Sequence, residues 1–306
     1  MSQDLGQKYF NNGINFTTTD RHDTYSFISP TTADLSGKNV LITGASKGVG
    51  KATAISYARA GASGIAIAAR SSLDSVAKEI KEAAKNAGRS NPNVVIVNLD
   101  VTDRNSVEAA TKVVSEAFDG RVDILINNAG SLSSFKGIPE TDPDEWWRDW
   151  EVNVKGIYLT TRAFWPLILK SSLKIIINLS SIAAVYNPTQ GSAYGSTKLA
   201  ILRLTECINE DHGEGKDGIL AIAVHPGGVE TELALKMPKE NHIYLVDTPE
   251  LAGDTLLWLG SERRDWLAGR YISACWDMQE LQEKKGDIIK GDLLKVRLAV
   301  NLFPEQ

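Results

Sequence analysis

The sequence predicts an α/β fold: a doubly wound parallel sheet of seven strands with helices on both faces, in a single domain. Two observations predict it. Seven short runs are apolar throughout instead of alternating, as expected of strands covered on both faces. Successive runs are separated by segments of helical periodicity, and such β-then-α alternation builds a parallel sheet through right-handed crossovers.

Taken in order, "NVLIT" from residue 39 reads as the first strand and "GKATAISYARAGA" from residue 50 as a helix that ends near a glycine. "GIAIAA" from 64 is the second strand, "LDSVAKEIKEAAKNAG" from 73 a second helix, and "NVVIVNLD" from 93 the third strand. A helix follows near 104–119, then "VDILINN" from 122, a long helical region from about 143 to 170, and "KIIINLS" from 174. The series closes with a helix near 192–212, "GILAIAVHPGG" from 218, a helix near 248–260 and "GRYISA" from 269. No repeat or low-complexity linker divides this stretch. Residues 1–36 are polar with a few apolar anchors and are expected to form an extension lying on the domain. The domain itself runs 37–275, and 276–306 is a charged, partly helical tail.

Composition narrows the function classes. The chain is 42% hydrophobic and 23% charged with a net charge of −5, so there is no basic excess for nucleic acid. Only Cys207 and Cys275 are present, and the four histidines lack metal-ligand spacing, so neither a disulfide framework nor a metal is expected. No run approaches the ~18 apolar residues of a membrane helix, and the N-terminus has no apolar leader. A cytoplasmic protein is the expectation.

Two motifs carry chemistry. "TGASKGVG", Thr43–Gly50, joins the first strand to the first helix. Gly44, Gly48 and Gly50 let the backbone turn tightly and approach a pyrophosphate, while the helix N-terminus offers N–H groups and a positive dipole end. Ser46, Lys47 and Val49 complete that loop. "YGSTK" sets Tyr194 one helical turn before Lys198, so both polar ends address one point. An ammonium beside a phenol stabilises the phenolate and is expected to lower its pKa from near 10, making a proton donor usable near neutrality.

With "NNAG" at 127, "EVNVKG" containing Asn153, "NLSS" containing Ser181 and "HPGGVET" from 225, these motifs resemble the short-chain dehydrogenase/reductase family, and they do so in the family's order across roughly 36–275. The resemblance implies a Rossmann fold, a nicotinamide cofactor, and a homodimer or homotetramer. It implies a catalytic set of Asn153, Ser181, Tyr194 and Lys198, in which Ser181 steadies the substrate oxygen, Lys198 also holds the nicotinamide ribose, and Asn153 holds a water on a proton path. By the same resemblance Asp100 contacts adenine with Val101 beside it, and Asn128 and Ala129 lie along the cofactor. Val229 and Thr231 resemble contacts to the carboxamide, after the rigid turn of Pro226 and Gly227.

The second strand ends at Ala69, where NAD-preferring relatives carry Asp, and is followed by Arg70, Ser71 and Ser72. Arg70 and Lys47 favour a 2′-phosphate, so the cofactor is expected to be NADP(H). The substrate is expected against Phe135, Tyr186 and a lid spanning Glu232–Val246 that includes Met237, His242 and Tyr244. Such a lining suits a bulky hydrophobic carbonyl or alcohol compound. The extension and the "SACWD" ending resemble short-chain reductases of filamentous fungi that serve secondary metabolism. A non-redox step on the same fold, or non-catalytic nucleotide sensing, are the alternatives; the intact catalytic set argues against both.

Overall fold

A computed structural model describes residues 13–298. Residues 1–12 of the extension and 299–306 of the tail lie outside the described residues.

Seven strands form one parallel sheet in the order β3-β2-β1-β4-β5-β6-β7. They are β1 Asn39–Thr43, β2 Gly64–Ala69, β3 Asn93–Asn98, β4 Ile124–Asn127, β5 Ile175–Leu179, β6 Leu220–His225 and β7 Tyr271–Ser273. The helices are α1 Gly48–Arg59, α2 Asp74–Asn86, α3 Arg104–Ala117, α4 Pro143–Trp150, α5 Gly156–Ile168, α6 Ser192–His212 and α7 Pro249–Ser261. Two short ones, α8 Met278–Glu283 and α9 Lys285–Lys290, make up the described part of the tail. The apolar runs are strands because they are buried on both faces: β2, β4, β5 and β6 contain no exposed residue. β3 departs from this, since it is an edge strand and Ile96 is 44% exposed. Winding reverses between β1 and β4, and in such sheets the carboxyl ends at the reversal form a crevice.

The long helical region of residues 143–170 is not one α-helix. Glu151–Lys155 forms a π turn between α4 and α5, with Asn153 inside it and fully buried.

A polar ladder crosses the interior beside this turn. Asn127 on β4 is the register partner of Asn178 on β5. Thr160 donates to Asn127 Oδ1 at 2.7 Å, Asn127 Nδ2 donates to Asn178 Oδ1 at 2.9 Å, and Asn178 Nδ2 donates to Thr205 at 3.0 Å. The ladder ties α5 and α6 to the two central strands, and every member is satisfied, as buried polar groups require.

The described part of the extension carries two 3-10 turns, Ser26–Ile28 and Pro30–Thr32. Ile28 and Leu35 enter the main core.

Candidate active site

A cavity of about 1170 Å³ runs along the carboxyl ends of the strands. Its size exceeds the ~300–1,000 Å³ of a pocket for one drug-sized ligand, leaving room for a dinucleotide and a second molecule.

At one end, β1 passes through the glycine loop into α1, whose first turn opens on the cavity. Gly44 and Gly48 have φ of +65° and +55°, a region that disfavours other residues. A Cβ on Gly44 would lie 2.8 Å from the Ala129 Cα, so the loop and the "NNAG" segment are in backbone contact. Asn128 is the brace between them: its Nδ2 donates to the carbonyls of Thr43 and Gly44 at 2.8 and 3.0 Å. Thr43 Oγ1 accepts from the amides of Asn128 and Ala129 at 3.0 and 3.1 Å.

Arg70 follows β2, is 69% exposed, and sits 4.0 Å from the Asp100 carboxylate. Burial pushes the Asp100 carboxyl up, but hydrogen bonds from the Thr102 amide and hydroxyl and the charges of Arg70 and Arg148 outweigh it and hold the group below its ordinary range. Lys47 lines the cavity as well. Its ammonium pairs with Glu232, the first residue of the lid, across the groove. Ser46, Val49, Ser71, Val101, Pro226, Gly227, Val229 and Thr231 all line the same cavity.

At the other end, Ser181, Tyr194 and Lys198 converge. Ser181 follows β5, caps a short 3-10 turn through the Ala183 amide at 3.2 Å, and is hydrogen-bonded to the Tyr194 hydroxyl. Tyr194 and Lys198 stand one turn apart on α6, with Lys198 Nζ 5.4 Å from the centre of the phenol ring. That ammonium is buried and donates to the Leu179 carbonyl at 2.8 Å. Burial pushes the Lys198 amine down to about 8, partly opposed by the charge of Asp149. The Tyr194 phenol is not lowered here. Burial pushes it up to about 12, against the hydrogen bond from Ser181. The cost of desolvating a phenolate therefore outweighs the Ser181 hydrogen bond in this state.

Asn153 does not reach the cavity wall. Its Oδ1 accepts from the Ser131 amide at 2.8 Å, and its Nδ2 donates to the Ser131 carbonyl at 2.9 Å and the Thr197 hydroxyl at 3.0 Å. Its side chain thus clamps the loop after β4 to α6, one residue from Lys198.

Phe135, Tyr186, Met237 and Tyr244 line the cavity, but His242 does not. The His242 ring donates from Nε2 to the Met237 carbonyl at 3.0 Å, because it closes its own 3-10 turn, Lys239–Tyr244. Three features of the site had no clear sequence signal. Asp149 is fully buried, and its Oδ2 accepts from both the amide and hydroxyl of Ser133 at 2.9 Å. His225, at the end of β6, lines the cavity with a buried Nδ1, and burial pushes its imidazole down to about 4, so the ring is neutral. Residues of the N-terminal extension and Trp276 form part of the wall.

The cavity, its glycine-lined entrance and the Ser181–Tyr194–Lys198 group together fit a dinucleotide and a carbonyl compound. Among the described residues no cluster could hold a metal ion, and no helix is long and apolar enough to cross a membrane. The family model for short chain dehydrogenases matches residues 38–242. The short chain dehydrogenase citE of Monascus ruber is 46% identical over 288 residues, covering 94% of this chain and 98% of its own. Among solved structures, the NADPH-bound carbonyl reductase from chicken fatty liver is similar with a TM-score of 0.63 and 25% identity, covering 78% of this chain and 97% of its own. The 3-ketoacyl-(acyl-carrier-protein) reductase of Brucella melitensis, complexed with NADH, is similar with a TM-score of 0.68 and 26% identity, over 78% and 97% of the two chains. With motif order, strand order and these similarities in agreement, this chain belongs to the short-chain dehydrogenase/reductase family.

Proposed function

We infer that the chain is an NADPH-dependent ketoreductase, or the reverse alcohol dehydrogenase, acting on a bulky hydrophobic compound of secondary metabolism. The single observation that carries this reading is the convergence of Ser181, Tyr194 and Lys198 on the cavity that the glycine loop also opens.

The nicotinamide supplies or accepts the hydride when bound. The protein handles the proton. With its pKa pushed up to about 12, Tyr194 is a neutral phenol at neutral pH, the form that gives its proton to a carbonyl oxygen gaining negative charge. Ser181 donates a hydrogen bond to that same oxygen, stabilising the charge before the proton arrives. Lys198 then favours the transient phenolate, and Asn153 holds α6 and the loop after β4 at fixed separation so that the phenol and the ammonium keep their geometry. Lys198 then passes a proton to that phenolate, and a water held at the π turn would replace the proton on Lys198.

NADPH in preference to NADH is supported by the absence of a carboxylate at Ala69 and by the exposed guanidinium of Arg70. With Lys47 paired to Glu232, Arg70 carries more of this discrimination than the sequence implies. The bulky substrate is supported by Phe135, Tyr186, Met237 and Tyr244 on the cavity wall. A secondary-metabolite role is supported by the similarity to relatives such as citE of Monascus ruber.

Loss of NADPH absorbance against a panel of bulky ketones tests the reading. Tyr194→Phe is expected to lose about 10²–10⁴-fold in kcat, the usual share of a positioned acid. Undiminished turnover in that variant would overturn the assignment. Arg70→Asp is expected to lower the NADPH/NADH ratio of kcat/KM at least about tenfold, the scale of one charged hydrogen bond. An unchanged or increased ratio would remove Arg70 from cofactor selection.

A further inference from the structure

The family match begins at residue 38 and ends at 242, yet residues outside both limits line the cavity. Ile14, Asp20 and His22 of the extension line it, together with Asp247, Cys275 and Trp276. The two solved structures above cover only 78% of this chain while covering 97% of their own, whereas citE covers 94% of it.

The segment is held in place from both sides. Asp20 pairs with Trp276 in an antiparallel bridge, and the Arg21 amide donates to the Cys275 carbonyl at 2.7 Å. Trp276 Nε1 donates to the Gly13 carbonyl at 3.0 Å, and its ring lies 5.2 Å from that of Phe16. Behind the wall, Arg21 donates from Nε and one terminal nitrogen to Asp277 at 2.8 and 2.6 Å, and Glu280 accepts from the amides of Thr18 and Thr19 at 2.6 and 3.1 Å. On the cavity side, Asp247 is the hub. It takes His22 Nδ1 at 2.6 Å, the Gly228 amide at 2.5 Å and the Cys275 thiol at 3.3 Å. The same carboxylate therefore joins the extension, the turn after β6 and the end of β7.

We propose that residues 13–22, clamped to Cys275–Glu280 and Asp247, are the substrate-selecting wall of this enzyme, admitting flat multi-ring ketones and fixing how far they extend from Tyr194. The proposal rests on the ketoreductase reading above. Ring-bearing compounds suit this wall because Ile14 and the Trp276 indole line it beside polar atoms of Asp20, His22, His225 and Asp247, which accept or donate to hydroxyls on the rim of such a compound. A loosely held segment could not discriminate by shape. Backbone bridges on one side and a bidentate guanidinium on the other limit its freedom before substrate arrives.

The test uses the full chain with two ketones, cyclohexanone and the tricyclic anthrone, and two readouts. First, kcat/KM is measured with NADPH for the wild type, Arg21→Ala and Ile14→Trp. The Arg21 side chain fastens the wall to Asp277 and does not line the cavity, so Arg21→Ala is expected to change cyclohexanone reduction less than threefold while lowering the anthrone/cyclohexanone ratio at least tenfold. Ile14→Trp narrows the cavity directly and is expected to lower the same ratio, so the proposal does not hang on how one variant folds. Second, amide hydrogen exchange is followed on the NADP⁺-loaded wild type with and without anthrone. Anthrone is expected to slow exchange across residues 15–25 at least threefold. Equal effects of both substitutions on the two ketones, or exchange in 15–25 indifferent to anthrone, would overturn the wall. Protection of 15–25 with no NADPH oxidation by either ketone would instead overturn the ketoreductase reading and leave the wall standing.

Discussion

Replacing Asn153 by Ala separates two roles that the family resemblance runs together. The side chain makes three hydrogen bonds at 2.8–3.0 Å, and two of them satisfy the amide and the carbonyl of Ser131. Each bond contributes about 1 kcal/mol net, and a buried partner left unpaired costs about 1–3 kcal/mol. Since Asn153 is fully buried, water cannot replace the lost partners without local opening. The sum is about 3–4 kcal/mol of stability. For an m-value of ~3 kcal/mol per molar urea, the unfolding midpoint should fall by about 1 M. Activity should fall as well, because the clamp between the loop after β4 and α6 sets the separation of Tyr194 from the substrate wall. Urea unfolding followed by circular dichroism, with kcat measured on the same preparation, checks both. A midpoint shift below about 0.3 M accompanied by a large loss of kcat would refute the clamp and assign the side chain to proton transfer alone.

Three further outcomes follow from the geometry. Asp149→Asn removes a buried negative charge that raises the pKa of both Tyr194 and Lys198, so the alkaline limb of the pH–kcat/KM profile should move to lower pH, and an unmoved limb would show that Asp149 only holds Ser133. His22 is held above its ordinary pKa by its hydrogen bond to Asp247, against the opposing effect of burial, and Asp20 lies 3.7 Å away. A raised pKa contributes stability fully below about 6.5 that is lost as pH rises through the folded value, so the protection of amides within residues 15–25, corrected for the intrinsic exchange rate at each pH, should fall from pH 6 to pH 8, and His22→Gln should remove that fall. Gly228→Ala should cost about 1–3 kcal/mol and weaken cofactor binding, since a Cβ there would overlap the Tyr244 carbonyl oxygen beside the Pro226–Gly227 turn; thermal unfolding with and without NADP⁺ reads both, and a variant as stable and as well bound as wild type would contradict it.

The sheet was legible because its signal is local. "IIINL" or "LAIAVH" can be soluble only if covered on both faces, and the spacing of such runs fixes the alternation with helices. Tyr194 and Lys198 were legible for the same reason, since four residues on a helix define a common face. What sequence hid depends on pairing across the chain. The π turn at Glu151–Lys155 arises where Asn153 must face both Ser131 and Thr197, 22 and 44 residues away. Lys47 reads as an unpaired cation, and only the fold shows Glu232, 185 residues away, opposite it. His242 reads as a pocket residue, yet its ring is used by a carbonyl five positions back. Asp149 sits in a run of tryptophans whose aromatic character draws attention from its own buried carboxylate. The extension, polar and aperiodic, carries no sign that it will meet Trp276.

The ladder through Asn127 and Asn178 also bears on how the protein assembles. Parallel strands have no hairpin to set their alignment, and β4 and β5 are nearly uniform runs of Ile and Leu that could pair in several alignments at similar hydrophobic gain. A slip of one residue would send Asn178 to the opposite face and strand the partners it meets on α5 and α6 in a dry interior. Misaligned pairings therefore carry a penalty that the apolar residues alone would not impose. The asparagine pair thereby acts as a proofreading device for strand alignment, and because Ser181 emerges two residues beyond the end of β5, that alignment decides where a catalytic hydroxyl appears.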